Sequence, residues 1–213
     1  DGIRTAPIKG THFDVDGDAG DWADVSALYT QTGNDPTLSA DQQRSVVNKV
    51  AYRDDGLYIL SVGKTYKYTE DNFVSGKSNN ANAFRNTSVE VQLNALDNTS
   101  NQLWFAPYAN VYTREINSAC IVVPETVTVN GQQRTRYTVT YEIFIPNVVL
   151  NRLIKASDVN AATPDSVKLC VIFTNVSAQG DSGLSSDPIN GGEVTATTSA
   201  FYGSWSKTEV YKA

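Results

Sequence analysis

Residues 13–25 read FDVDGDAGDWADV and contain the aspartates Asp14, Asp16, Asp18, Asp21 and Asp24. Carboxylates at this density could gather a hard cation such as calcium, which takes oxygen ligands. Counted from Asp14, positions 1, 3 and 5 of an EF-hand loop are filled by Asp14, Asp16 and Asp18. Position 6, which that loop reserves for glycine, is Ala19; position 9 is Trp22, and position 12, a bidentate glutamate in the motif, is Val25. The second half of the pattern fails, so an EF-hand is not expected, and the stretch takes its meaning from the rest of the chain.

Other groups capable of chemistry are few. Glu90 and Glu142 sit in strand-like segments and share strand parity. Two such carboxylates could flank a glycosidic bond as acid and base, but they also fit the ordinary polar face of two strands. A Ser-His-Asp or Cys-His centre would depend on His12, the single histidine, which has no nucleophile motif near it. Cys120 and Cys170 lie in the apolar contexts SACIVV and VKLCVIF, with no CxxC or Cys/His cluster to suggest zinc. Their spacing alone does not decide whether they pair. The chain is expected to be non-catalytic.

These residues must be positioned by strands. The 213 residues are 40% hydrophobic, enough for one sizeable core, and carry a formal net charge of -6. Lysine and arginine are scattered singly, so no basic surface for nucleic acid is expected. No apolar run approaches the ~20 residues of a membrane span, and no signal peptide is evident. The start DGIRTAPIKG and the absence of methionine suit a mature or excised fragment. Strand-like alternation, rich in Val, Ile, Tyr, Phe and Thr, predicts strands over 45–53, 56–62, 87–94, 103–113, 137–146 and 167–176. A helical turn is predicted within 147–156, and loops over 27–43 and 177–200. No repeat or composition break divides the chain. One all-β domain, an antiparallel β-sandwich of the jelly-roll kind, is expected over 1–213, with 1–10 as an extended N-terminal segment.

Parity within these strands separates two faces. Val89, Val91 and Leu93 alternate with Glu90, Gln92 and Asn94. Tyr137, Val139, Tyr141, Ile143 and Ile145 alternate with Thr138, Thr140, Glu142 and Phe144. In 103–113, Phe105, Pro107, Ala109 and Val111 share one face; Trp104, Ala106, Tyr108, Asn110 and Tyr112 share the other. Rings four residues apart along a strand stand roughly 13 Å apart, and with Glu90 nearby they could stack on sugar rings while polar groups bond hydroxyls. The alternative is a second buried aromatic layer. A buried Glu90 would in either case need a partner.

The segments FDVDGDAGDWADV, VAYRDDGLYILSV, FRNTSVEVQLN, RYTVTYEIFIP and DSVKLCVIFTNV follow one another in this order. The set resembles family 9 carbohydrate-binding modules and their relatives, the DOMON-like domains, over about residues 11–212. Those families open with I-D-G-x-x-D-x-W and carry a D-S-V-E strand and a late V-E-x-x-I-P strand. The resemblance implies a β-sandwich in which Asp16, Gly17, Asp21 and Trp22 form the first turn, with a mainly architectural role. It also implies a structural calcium ion, often carried by such modules, with Asp14, Asp16, Asp18 and Asp21 as candidate ligands. Sugar-binding roles carry over in part. Glu90 matches the hydroxyl-bonding glutamate, and Phe84 stands where the first clamp tryptophan belongs. Thr87 replaces the motif aspartate, and no tryptophan precedes Tyr202-Gly203, leaving Phe201 or Trp205 as substitutes. The arginine and asparagine of the family fall near Ala106 and Tyr108. Haem, bound by some DOMON relatives through methionine, is not expected in a chain without methionine.

The sequence thus leads to a non-catalytic module of a secreted or cell-surface polysaccharide-handling protein. Phe84, Glu90, Trp104, Tyr108 and Trp205 are its candidate sugar-binding residues; its partners would be a polysaccharide or oligosaccharide and other modules of the parent polypeptide. The alternative is a module of the same fold that binds no sugar and serves as a spacer or protein-interaction domain in a cell-surface or cellulosome-like assembly.

Overall fold

A computed structural model describes residues 2–4, 14–33, 35–66, 68, 76–77, 88–94, 100–105, 116–153, 166–174, 200–202 and 208–212. Their strands form two sheets. One contains β2 (Ala27–Thr32), β3 (Ser45–Arg53), β4 (Gly56–Thr65), β8 (Asn117–Val129) and β9 (Gln132–Pro146), in the order β2-β3-β4-β9-β8. The other contains β1 (Gly2–Arg4), β5 (Gly76–Lys77), β6 (Ser88–Asn94), β7 (Ser100–Phe105), β10 (Ser166–Thr174), β11 (Ala200–Tyr202) and β12 (Thr208–Tyr211). Its order is β1-β12-β10-β6-β7-β5, with β11 also on β10. Pairing is antiparallel throughout except for β1 with β12, which is parallel.

The all-β expectation is met, and side-chain alternation explains how the two sheets share one core. From the five-stranded sheet, Val46, Val50, Tyr52, Leu57, Ile59, Val139, Tyr141, Ile143 and Ile145 enter one buried cluster. From the other sheet come Val89, Val91, Leu93, Leu103, Phe105, Val167, Leu169, Val171, Phe173 and Val210. Both sets follow the period of two predicted for 87–94 and 137–145. A polar tether crosses this core: Asn48 Nδ2 donates to the Val171 carbonyl at 3.2 Å, and Ser61 Oγ donates to Asn48 Oδ1 at 2.6 Å. Both side chains are buried, so these bonds satisfy groups that would otherwise be costly inside.

Several elements differ from the sequence expectation. The predicted loop 27–43 contains β2, whose Leu28 and Tyr29 pack on the core while a register shift between Ala27 and Tyr29 breaks its alternation. The long β8 is an edge strand whose side chains are mostly exposed or half-exposed, so it lacks the apolar face that marks central strands. Strand β9 begins at Gln132, earlier than predicted, because Asn130 and Gly131 form a two-residue turn with φ of 50° and 78°. Positive φ at both positions suits the strand twist of a tight hairpin. Within 103–113, strand is described only to Phe105, and residues 106–113 lie outside the described residues. The helical turn is α1 (Asn147–Leu153), which buries Val149 and Leu150. Cys120 lies on β8 and Cys170 on β10, in different sheets.

Close approach of the sheets also fixes Gly63. A Cβ there would lie 2.2 Å from Cζ of the Phe173 ring. Gly63→Ala is expected to lower the urea midpoint by an amount equal to about 1–3 kcal/mol, the usual cost of overpacking. Phe173→Leu in the same chain should recover part of that loss; a midpoint unchanged in Gly63→Ala would show that the ring is free to yield.

Candidate functional site

Glu142 organises the outer face of the five-stranded sheet. Its neighbours Tyr141 and Ile143 point into the shared core, so alternation sends Glu142 the other way. It is nevertheless only 1% exposed, because the aspartate-rich segment folds over it. Glu142 Oε2 accepts from the backbone N–H of Asp16 at 2.8 Å and of Gly17 at 2.7 Å. Its Oε1 accepts from Trp22 Nε1–H at 2.7 Å. Trp22, 1% exposed, packs with Val25, Ala51, Tyr58 and Leu60 in a second, smaller apolar cluster. Lys49 Nζ donates to the Trp22 carbonyl at 2.9 Å. Gly17 has φ 89°, and a Cβ on it would meet Ile121 Cγ1 at 2.7 Å, so the loop lies directly on β8.

Burial pushes the Glu142 carboxyl above its ordinary 4.5, opposed by the Trp22, Gly17 and Asp16 N–H donors and reinforced by the neighbouring Asp16 carboxyl. A carboxyl raised in the folded state adds stability below its unfolded value and loses that contribution as pH rises through the folded one.

The aspartates turn the chain rather than face a common point. Asp16 Oδ1 accepts from the Asp18 N–H at 2.8 Å, and Asp18 Oδ1 from the Gly20 N–H at 3.0 Å. Asp21 Oδ2 accepts from the Asp14 N–H at 2.9 Å. These are local side-chain caps of the kind aspartate makes in turns, and Asp18 caps the 3-10 turn Ala19–Trp22. Among the described residues no group of three or more His, Cys, Asp or Glu side chains is placed to hold a metal ion. Asp14, Asp16, Asp18 and Asp21 are therefore together in the loop but not assembled as a ligand set.

The other sheet places Glu90 on its face away from the core, between the inward-facing Val89 and Val91. Glu90 is 3% exposed. It stands at the sheet's centre, opposite Ile172 of β10 on one side and Trp104 of β7 on the other. Trp104 in turn pairs in register with Gly76 of β5. Glu90 and Trp104 are thus cross-strand neighbours. Phe84, Tyr108 and Trp205 lie outside the described residues, as do His12 and residues 177–199 of the predicted 177–200 loop, whose last residue, Ala200, begins β11. Glu90 and Glu142 lie on the outer faces of different sheets and point away from each other. Packed sheets are ~10 Å apart, so with a core between them the pair cannot flank one glycosidic bond, which needs carboxyls about 5–9.5 Å apart on facing sides.

A further cluster was not visible in local sequence. Arg136, buried on β9, bonds Glu125 of β8 at 2.5 Å and donates to the carbonyls of Asp41 at 2.7 Å and Gln43 at 3.2 Å. Gln42 Nε2 donates to the Thr128 carbonyl at 2.9 Å, and Tyr66 Oη to the Gln42 carbonyl at 2.7 Å. The guanidinium of Arg134 lies 4.3 Å from the Tyr66 ring centroid. This cluster ties the segment before β3 to the far end of the β8–β9 hairpin.

Four outcomes are expected. Trp22→Ala should cost about 3–5 kcal/mol, the range for a core aromatic, read from the denaturation midpoint; an unchanged midpoint would remove Trp22 from the core. Glu142→Gln should also destabilise, because its amide N–H cannot accept from the donors now facing it. The stability of the native chain relative to Glu142→Gln should fall as pH rises from about 4 to 7; a difference that grows across this window would contradict the raised carboxyl. EDTA should leave the melting temperature unchanged, since hydrogen bonds hold the loop, whereas a fall restored by calcium would assign the aspartates to a cation. A scan against protein-family models and a search of curated proteins found no match to this chain.

Proposed function

We propose that this chain is a non-catalytic carbohydrate-binding module of a secreted or cell-surface protein, taking a polysaccharide on the outer face of the seven-stranded sheet. The observation that carries this reading is the register of β6 with β7, which sets Trp104 opposite Glu90 near the middle of that sheet. An aromatic residue beside a carboxylate is the combination that sugars use, apolar C–H faces on the ring and hydroxyls on the acid. The resemblance to family 9 carbohydrate-binding modules supports Glu90, and Trp104 is added by strand parity.

One observation favours the second reading, a module that contacts protein. Ile121 and Val123 on the edge strand β8 are 42% and 53% exposed, within a run without charge from Asn117 to Pro124. Exposed apolar edge strands invite pairing with another chain.

Affinity electrophoresis against soluble glucans, xylans, mannans and pectins separates the two. Retardation by at least one polymer is expected, lost in Trp104→Ala with the melting temperature retained. Migration unaffected by every polymer would reject the sugar-binding reading and leave the protein-contact reading in its place.

A further inference from the structure

The exception to antiparallel pairing lies at the edge of the seven-stranded sheet. Strand β1 runs parallel to β12, with Gly2 opposite Glu209, Ile3 opposite Val210 and Arg4 opposite Tyr211. The chain therefore enters this pair at the Glu209 end and leaves it at the Tyr211 end. A pull on the two ends of the chain acts in opposite directions along the paired strands. Ladder hydrogen bonds run across strands rather than along them. Opposed pulls along the strands load every bond of the pair together, and a slip of one residue, ~3.3 Å, must break them all at once. Had the pair been antiparallel, both ends would emerge on the same side and the bonds would open one after another.

The support behind β12 suits this loading. Strand β12 is itself paired with β10 from Ser166↔Tyr211 to Leu169↔Thr208, and Val210 is fully buried in the shared core. A force on Tyr211 is thus passed along the axis of a strand anchored on both edges and from within. We infer that the β1–β12 pair is a shear clamp, and that the module carries tension between its two ends. This role is independent of sugar binding and would suit a unit placed between neighbours on a surface under flow or traction.

Single-molecule force spectroscopy at one loading rate tests it. The unchanged sequence is pulled between residues 1 and 213, and separately between residues 1 and 207. The second geometry draws both attachments from the same end of the β1–β12 pair and opens it bond by bond. Unfolding is governed by the rate of crossing the barrier under load, so the 1/213 geometry should require about twice the force of the 1/207 geometry. Ile3→Pro with Arg4→Pro gives a second measure. Successive backbone N–H groups point to alternate sides of a strand, so this pair of changes removes whichever one bonds β12. The 1/213 force of this variant should fall to that of the 1/207 geometry. Equal forces in the two geometries of the unchanged chain would overturn the clamp whether or not the variant folds, as would an unchanged 1/213 force in a folded variant.

Discussion

A single carboxylate sets the shape of one face of this protein. Alternation along β9 puts Glu142 on the outer face, where the segment folded over it buries it, and a buried charge without partners would be expensive. Three N–H groups from one short segment meet it. Two of these are successive backbone amides and the third is an indole, so the segment can satisfy the carboxylate in only one conformation. The Asp16–Trp22 turn, the position of the Trp22 ring and the small cluster with Tyr58 and Leu60 all follow from that requirement. Without Glu142, Trp22 would bury an indole donor with nothing to receive it. Without Trp22 and the turn, Glu142 would lie exposed on a sheet face otherwise lined by Ala51, Tyr58, Leu60 and Phe144.

The rich opening motif has a clear role in folding. Its aspartates bond backbone groups within the turn, its glycine permits the left-handed bend at φ 89°, and its tryptophan closes a core. A sequence feature that looks chemical is here used for architecture, and the site proposed for ligand lies on the opposite sheet. Of the two glutamates at equivalent strand parity, Glu142 takes its donors from the protein's own first turn, and Glu90 stands in register with Trp104 on the other sheet.

What the sequence made legible was local. Strands with one apolar and one polar face, such as β3, β6 and β9, declare themselves through a period of two, and their core residues are those the period predicts. β2 and β8 did not, because an edge strand has no second neighbour to impose alternation and tolerates exposed positions along its length. The hairpin between β8 and β9 did carry a readable signal, Asn130-Gly131, whose backbone freedom suits a two-residue turn. The bond between Trp22 and Glu142 spans 120 positions and leaves no trace in any window of sequence. Its only sign was an acid inside the otherwise apolar run YEIFIP. Register gave what alternation could not: Glu90 and Trp104 lie fourteen positions apart in the chain and become neighbours only when β6 and β7 pair.

The order in which the strands are joined has a consequence in time. Strands β3 and β4 meet across a two-residue turn, as do β8 and β9, so half of the five-stranded sheet's pairings are available early in synthesis. The other sheet joins distant parts: β6 must wait for β10, and β1 must wait for β12, which completes at Tyr211. Closing such long loops is slow. Strand β1, made well before its partner, is therefore among the last to find its place, and during that interval the β12 edge and the apolar inner faces of β6 and β7 stand open to any chain that reaches them first.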